Sequence, residues 1–305
     1  MLHAFGIAAA QRTLDIGVTA SIPARSLRFA AMPGAAPRGA AAFLAQHGQP
    51  QLDAGGPDQA FEVLGVKVFV DGSLGARTAC LRHPYADAAT TCGTALYGAA
   101  ELETLARVVD AAGLQLMVHA IGDAALDRAL DALEPLVRDG NPFKHRLEHV
   151  EVTPPDVVDR LARSGLWVCA QPNFAGRWSQ PGGLNEQRLG SRLTQCNLYR
   201  TLYAAGIPMA FGSDCMPLGP LFGLRSAMQH PLAAERLDAA TALALYSTAA
   251  RTLAGRGDAG ARAGRDWVVL EGDFDRVAAT YRGTRRVFAA PDFAPPAGAG
   301  PAASS

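Results

Sequence analysis

Residues 114–137, LQLMVHAIGDAALDRALDALEPLV, decide the fold. Leu114 to His119 is a short, almost continuous apolar run, the pattern of a strand covered on both faces. After Gly122 and Asp123, the stretch Ala124 to Val137 repeats apolar residues at helical spacing. Working outward, the same strand-then-helix unit recurs. Upstream, Leu64 to Val70 (LGVKVFV) is rich in β-branched residues and stops at the turn signal Asp71-Gly72-Ser73. A helix over Ala100 to Ala112 follows, closed by Gly113. Downstream, Arg146 to Val150 reads as a strand, and Pro154 and Pro155 open a helix to about Arg163, proline being tolerated in a first turn. Leu166 to Gln171 and Ile207 to Gly212 read as further strands, with a helix near Asn197 to Ala205 between them. Helices follow near Leu221 to Gln229 and Asp238 to Ala254.

Alternation of nearly apolar strands with helices predicts an α/β fold with a parallel sheet covered by helices. Pattern alone leaves a barrel and an open doubly wound sheet in play. Polar residues collect at the strand ends: Asp71, His119, His149, Gln171 and Asp214. In a TIM (β/α)8 barrel these positions surround one mouth, whereas an open sheet spreads them along an edge, so the barrel is favoured. After Gly255 the character changes. Trp267 to Leu270, Arg276 to Tyr281 and Arg285 to Ala289 read as short strands of a small C-terminal β appendage. The expected domains are a partial barrel over 1–255, a β unit over 256–290 and a disordered Pro/Ala/Gly/Ser-rich tail over 291–305. The Ala/Pro/Gly-rich stretch from Ser21 to Gly56 carries no clear pattern.

Composition narrows the function. The 305 residues carry 28 Lys+Arg against 28 Asp+Glu, so no net charge draws the chain to nucleic acid or an anionic membrane. No run of apolar residues is long enough for a spanning helix, and the opening MLHAFGIAAAQR lacks a basic leader. Five scattered cysteines (Cys80, Cys92, Cys169, Cys196, Cys215) form no CxxC pair, which points to a reducing cytoplasm rather than a disulfide framework. Only two of the 28 basic residues are lysines, Lys67 and Lys144. A retained Lys67 in so arginine-rich a chain fits a place where arginine cannot serve, although Lys144 shows that a lysine survives elsewhere too.

A single strand-end histidine reads as structural or solvated, but two at equivalent strand ends, His119 and His149, can aim imidazoles at one point, and neutral imidazole ligates zinc and similar divalent ions. Lys67 lies within a strand, where it either forms a salt bridge or is carbamylated by CO2 to give a metal-bridging carboxylate. The second chemistry needs an amine that loses its proton, which a guanidinium does not. Asp214, in FGSDCMP, follows the last strand, either as a turn or capping residue or as a general acid/base. Arg77, Tyr85 and Gln171 are candidate substrate contacts, with surface or packing roles as the alternative for each. No phosphate loop, dinucleotide fingerprint or GxSxG elbow is present.

The segments GVKVFVDGSLGARTACL with PYAD, MVHAIGDAALDRALDAL, HRLEHVE, AQPNF and LYRTLYAAGIPMAFGSDCMPLGPL, in this order, resemble amidohydrolase family 3. This is the YtcJ-like branch of the amidohydrolase superfamily, which includes N-substituted formamide deformylases. The resemblance runs from about residue 60 to residue 250, and GVT at Gly17 to Thr19 fits an earlier barrel strand. It implies a metal-dependent TIM barrel with a composite β domain, and hydrolysis of non-peptide carbon–nitrogen bonds of a small amide-like substrate by metal-activated water. By motif, Lys67 matches the carbamylated bridging lysine, His119 and His149 match metal ligands, and Asp214 matches the proton shuttle.

The family opens with a strand bearing His-x-His, and this chain has none: its histidines are His3, His47, His83, His119, His145, His149 and His230. Arg265-Asp266-Trp267 also stands where the family has Ala-Asp-Leu. The expectation is therefore a barrel incomplete at its N-terminus, with one divalent ion, zinc by ligand type, where an intact member holds two. Two other readings stand beside the enzyme. One is an inactive remnant serving as a binding or assembly module, a homo-oligomer included. The other is an unrelated barrel lyase or isomerase using Lys67 as a Schiff base.

Overall fold

The computed structural model describes residues 18–26, 42, 43, 45, 61–137, 140–255 and 266–294. Residue 17, most of the Ser21–Gly56 stretch, the linker after Gly255 and the expected tail beyond residue 294 lie outside the described residues. Among the described residues, six strands form one parallel sheet: β1 (Val18–Pro23), β2 (Phe61–Phe69), β3 (Gln115–Ala120), β4 (Arg146–His149), β5 (Trp167–Ala170) and β6 (Met209–Phe211). Their spatial order is sequential, from β1 to β6 without reversal. That is the order of a (β/α) barrel wall, since a doubly wound sheet reverses at a switch point. Among the described residues β1 and β6 are the two edges and do not pair, so the barrel is open there.

The helices connecting and covering the sheet are α1 (Ala99–Ala111), α2 (Asp123–Leu133), α3 (Pro155–Ser164), α4 (Pro172–Trp178), α5 (Leu184–Leu189), α6 (Tyr199–Ala204), α7 (Pro220–Met228), α8 (Ala239–Tyr246) and α9 (Thr248–Leu253). Two expected helices are shorter than their patterns. Pro135, which lacks a backbone N–H, ends α2 at Leu133 and leaves a 3-10 turn over Glu134–Leu136. The stretch from Asp238 to Ala254 breaks at Ser247, whose φ of −116° and ψ of −85° are not helical, into α8 and α9. A three-stranded antiparallel sheet of β7 (Asp266–Glu271), β8 (Arg276–Arg282) and β9 (Arg285–Ala289) forms the β appendage. Arg225 of α7 donates to the Phe274 carbonyl in its first turn, which fastens the appendage to the barrel. No helix among the described residues is long and apolar enough to cross a membrane.

Alternation along the strands separates core from lumen. Val66, Val68 and Val70 after β2, Leu116 and Val118 on β3, Leu147 on β4 and Val168 on β5 bury against Leu102, Leu105 and Val109 of α1, Leu126 and Leu130 of α2 and Leu161 of α3. The intervening positions share the opposite face. Cross-strand register runs Lys67 to Met117 to Arg146 to Trp167 in one row, and Phe69 to His119 to Glu148 to Cys169 to Ala210 in the next. Gly65 permits the close approach of β2 and β3, because a Cβ there would overlap the Gln115 carbonyl oxygen. It also follows the bulge at which β1 skips Leu64. A second apolar cluster, including Leu74, Leu81, Tyr85, Ile121, Val152 and Leu189, seats the loops beyond the strand ends.

His145 enters β4 fully buried. Leu116 N–H donates to its Nδ1 at 3.0 Å, and its Nε2 lies 3.0 Å from Asp110 Oδ1, so Nδ1 holds the lone pair and Nε2 the proton. Burial lowers its pKa, with Asp110 opposing. A group that titrates lower in the folded than in the unfolded chain contributes fully above the unfolded value, about 6.5, and loses that contribution as pH falls from there through its lower folded value. His145→Gln is therefore expected to flatten the fall of unfolding free energy below about pH 6.5 by up to one proton, about 1.4 kcal/mol per pH unit. Urea titrations of both proteins across that range check it, and identical slopes would remove His145 as a contributor.

Candidate functional site

His119 is the penultimate residue of β3 and faces the lumen in register with Phe69 and Glu148. His149 ends β4, and simple alternation would turn it away from the lumen, since its cross-strand partner is Ala120. Backbone geometry re-aims it. Val150 N–H donates to the Glu148 carbonyl, closing a γ-turn on His149 at φ 74°, and Val150 follows at φ 56°. Such left-handed geometry costs a non-glycine residue about 1–3 kcal/mol. The result is two imidazoles with ring centroids 4.4 Å apart, and His149 stacks on Phe174 of α4 at 5.7 Å.

The protonation states follow from burial. His119 is pushed down to about 4 by desolvation, against the hydrogen bond of its Nε2 to the Gly72 carbonyl at 2.9 Å. His149 lies well below the ordinary histidine value, through burial first and then the proximity of His119 and Lys67. Both rings are neutral near pH 7, and each has a buried Nδ1 with no hydrogen-bond partner. Nε2 of His119 faces only acceptor oxygens, Gly72 O and Asp71 Oδ1 at 3.5 Å, so it carries the hydrogen and Nδ1 presents a lone pair.

Beside the histidines lies a charged row. Burial would raise the Glu148 carboxyl, but Lys67 and then Arg146 outweigh it and hold the group at about 2. Arg146 donates to Glu148 Oε1 at 2.6 Å and to Gln115 Oε1 at 2.7 Å. The Lys67 amine is lowered by desolvation, opposed chiefly by Glu148, and its Nζ lies 5.4 Å from the Phe69 ring centroid. Lys67 and Phe69 also line a crevice with Pro23, Leu96 and Tyr97. Asp214 stands on the exposed loop after β6 at φ 44°, its carboxyl raised by desolvation with Lys67 opposing.

Of the expected site residues, His119, His149 and Lys67 share the lumen, with Asp214 electrostatically coupled to Lys67 from the rim. Gln171 is buried; its Nε2 donates to Cys169 O at 3.0 Å, and its side chain lies close enough to His149 to raise the pKa of that imidazole against burial, although no bond of good geometry reaches its Oε1. Arg77 and Tyr85 have their polar atoms committed to the loop after β2 instead. Arg77 pairs with both Asp87 oxygens, at 3.0 and 2.8 Å, and Tyr85 is buried with its hydroxyl donating to Ala79 O at 2.8 Å. Sequence reasoning did not single out Arg146 and Glu148 as site residues, although their placement either side of Leu147 is a period-two signal. Phe174, Asn173 and the carboxylate of Asp71 gave no local signal for their roles. Among the described residues, no group of three or more His, Cys, Asp and Glu side chains could hold a metal ion.

A family model described as "Amidohydrolase family" matches residues 7–287. The chain is 35% identical over 170 residues to the amidohydrolase-family protein YtcJ of Bacillus subtilis (strain 168), covering 53% of this chain and 31% of that protein. It is 27% identical over 152 residues to an N-substituted formamide deformylase of Arthrobacter pascens, covering 49% of this chain and 27% of that one. An uncharacterized metal-dependent hydrolase from Pyrococcus furiosus matches with a TM-score of 0.69 at 27% identity, covering 84% of this chain and 50% of that chain. A second, from Pyrococcus horikoshii OT3, gives 0.67 at 25% identity with the same coverage. The chain thus spans half the length of these structures and less than a third of these curated relatives.

The loop carrying Asp214 hangs on one side chain. Asn173, buried in the first turn of α4, donates from Nδ2 to the Ser213 carbonyl and to Met216 O at 2.6 Å, spanning the left-handed pair Asp214 and Cys215. Removing it leaves two carbonyls without that donor, a loss of about 1–3 kcal/mol where they are dry. Asn173→Ala is expected to speed amide hydrogen exchange at residues 213–216 while β3 and α2 keep their protection. Unchanged exchange in that loop would show that Asn173 does not hold it.

Proposed function

The chain belongs to the amidohydrolase family, and from that premise we propose that it hydrolyses non-peptide carbon–nitrogen bonds of small amide-like substrates, using a divalent metal ion held by His119, His149 and Lys67. One observation carries the reading: two buried, neutral imidazoles 4.4 Å apart, each with an unpartnered Nδ1. Unpaired imidazole nitrogens of this kind are the donors a zinc-like ion takes, so the residues fit such a group. The names of the two Pyrococcus relatives, both metal-dependent hydrolases, support the same reading.

Lys67 is the third donor in this proposal. Burial favours its neutral amine, the form that reacts with CO2 to give a carbamate, and a carbamate offers oxygens where an ammonium offers none. Bound there, the ion would supply a water of lowered pKa and polarise the substrate carbonyl. Asp214 holds and moves the proton: its raised pKa brings it closer to neutrality than a free carboxylate, and its loop projects it to the rim. Gln171, with a buried unpartnered Oε1, is the polar contact available to the substrate.

Metal analysis of purified, folded protein is expected to find about one zinc-like ion per chain, lost in both His119→Ala and His149→Ala. Asp214→Asn is expected to keep the ion and lower kcat on a responsive formamide or other small amide by about a hundredfold or more. A folded chain without any ion, or one that keeps its ion in both histidine variants, overturns the reading. A binding or assembly module, which the lack of a third His, Cys, Asp or Glu donor among the described residues favours, would then replace it.

A further inference from the structure

Asp71 follows β2, and its carboxylate is buried among backbone N–H groups from two other segments. Oδ2 accepts from Cys80 N at 2.9 Å and from Gly122 N at 2.9 Å, and Oδ1 accepts from Ile121 N at 3.1 Å. Cys80 lies in the loop after β2, while Ile121 and Gly122 immediately follow β3, the strand that carries His119. The approach is so close that a Cβ on Gly122 would overlap the Cys80 carbonyl. One carboxylate thus ties the ends of two adjacent strands together at the height of the His119 ring.

The same turn closes on that ring. His119 Nε2 lies 2.9 Å from Gly72 O and 3.5 Å from Asp71 Oδ1, two oxygens that can only accept. With the hydrogen drawn to Nε2, the buried Nδ1 is left as a lone pair pointing away from the turn. We infer that Asp71 is a positioning residue for His119: its three N–H bonds hold the turn whose Gly72 carbonyl accepts from Nε2, and through that carbonyl it fixes both the tautomer and the ring orientation that make Nδ1 a metal donor. Partners of this kind on the outer nitrogen of a ligating histidine typically change metal affinity about 10–100-fold. The metal part of the inference rests on the proposed function; the tautomer part does not.

The test uses the full chain labelled with ¹⁵N-histidine, with the His119 resonances identified by their loss in His119→Gln. In the metal-free wild type, long-range ¹H–¹⁵N correlation is expected to show His119 protonated at Nε2 and bare at Nδ1. Protonation at Nδ1 overturns the inference, whatever any variant does. In folded Asp71→Asn, whose amide presents N–H where Oδ1 accepted, the Nε2–H tautomer is expected to be lost or mixed with the other. Zn²⁺ affinity by chelator competition is expected to fall about 10–100-fold. If Asp71→Asn lowers Tm but leaves tautomer and affinity as in the wild type, Asp71 is only a fastening of the loop and the inference fails. Wild type that binds no Zn²⁺ while showing the Nε2–H tautomer overturns the proposed function and upholds Asp71's hold on the ring.

Discussion

A continuous parallel register from β2 to β6 is the constraint on which the site depends. Side chains alternate along a strand, so a slip of one residue between β2 and β3 would send Lys67 under the helices and bring a valine into the lumen. The register is held because its other face is all core: Val66, Val68, Leu116, Val118, Leu147 and Val168 have nowhere else to go. The polar rows are therefore a by-product of apolar packing. Lysine, arginine and glutamate stand in the lumen because valine and leucine fill the opposite side.

Within the lumen, proximity and burial push neighbouring groups in opposite directions. Glu148 stays charged at about 2 because Lys67 and Arg146 face it, while His119, in the same row, falls to about 4 because burial penalises its cation. Groups a few ångströms apart thus hold different states at one pH, the pattern by which enzymes assign acid, base and ligand roles. The Arg146–Glu148 pair contributes little net stability by itself, since desolvation offsets much of its attraction. Its effect is to keep a negative charge beneath Lys67 in a fixed place.

The strands, most helices and the β appendage were legible because their information is local: a buried strand must be apolar over several residues, and a helix repeats at its own period. Lys67, His119, His149 and Asp214 stood out in the sequence because such residues at the ends of or within apolar strands are anomalies, and their roles are those proposed above. The convergence of His149 on His119 was expected, but the means was not, since alternation predicts the other face and a γ-turn reverses it. Asp71 reads locally as a turn residue, and its role comes from N–H groups some fifty positions away, beyond any motif. Arg77 and Tyr85 could be read either toward a substrate or as packing residues, because nothing in sequence reveals that Asp87 and the Ala79 carbonyl take up their polar atoms. The short helices α4 and α5, among prolines and glycines, carry too few turns to show a period.

Sequential strand order has a consequence for how the protein is made. Among the described residues, each strand from β2 to β6 pairs on one side with the strand synthesised just before it, and no later strand inserts between two earlier ones. The growing sheet can therefore add each βα unit as it leaves the ribosome, burying the previous strand's edge while exposing only one new edge at a time. Along this wall the order of pairing coincides with the order of synthesis, so docking of one unit requires no rearrangement of those before it. The loops and the Asp71 clasp can then close over strand ends already in place.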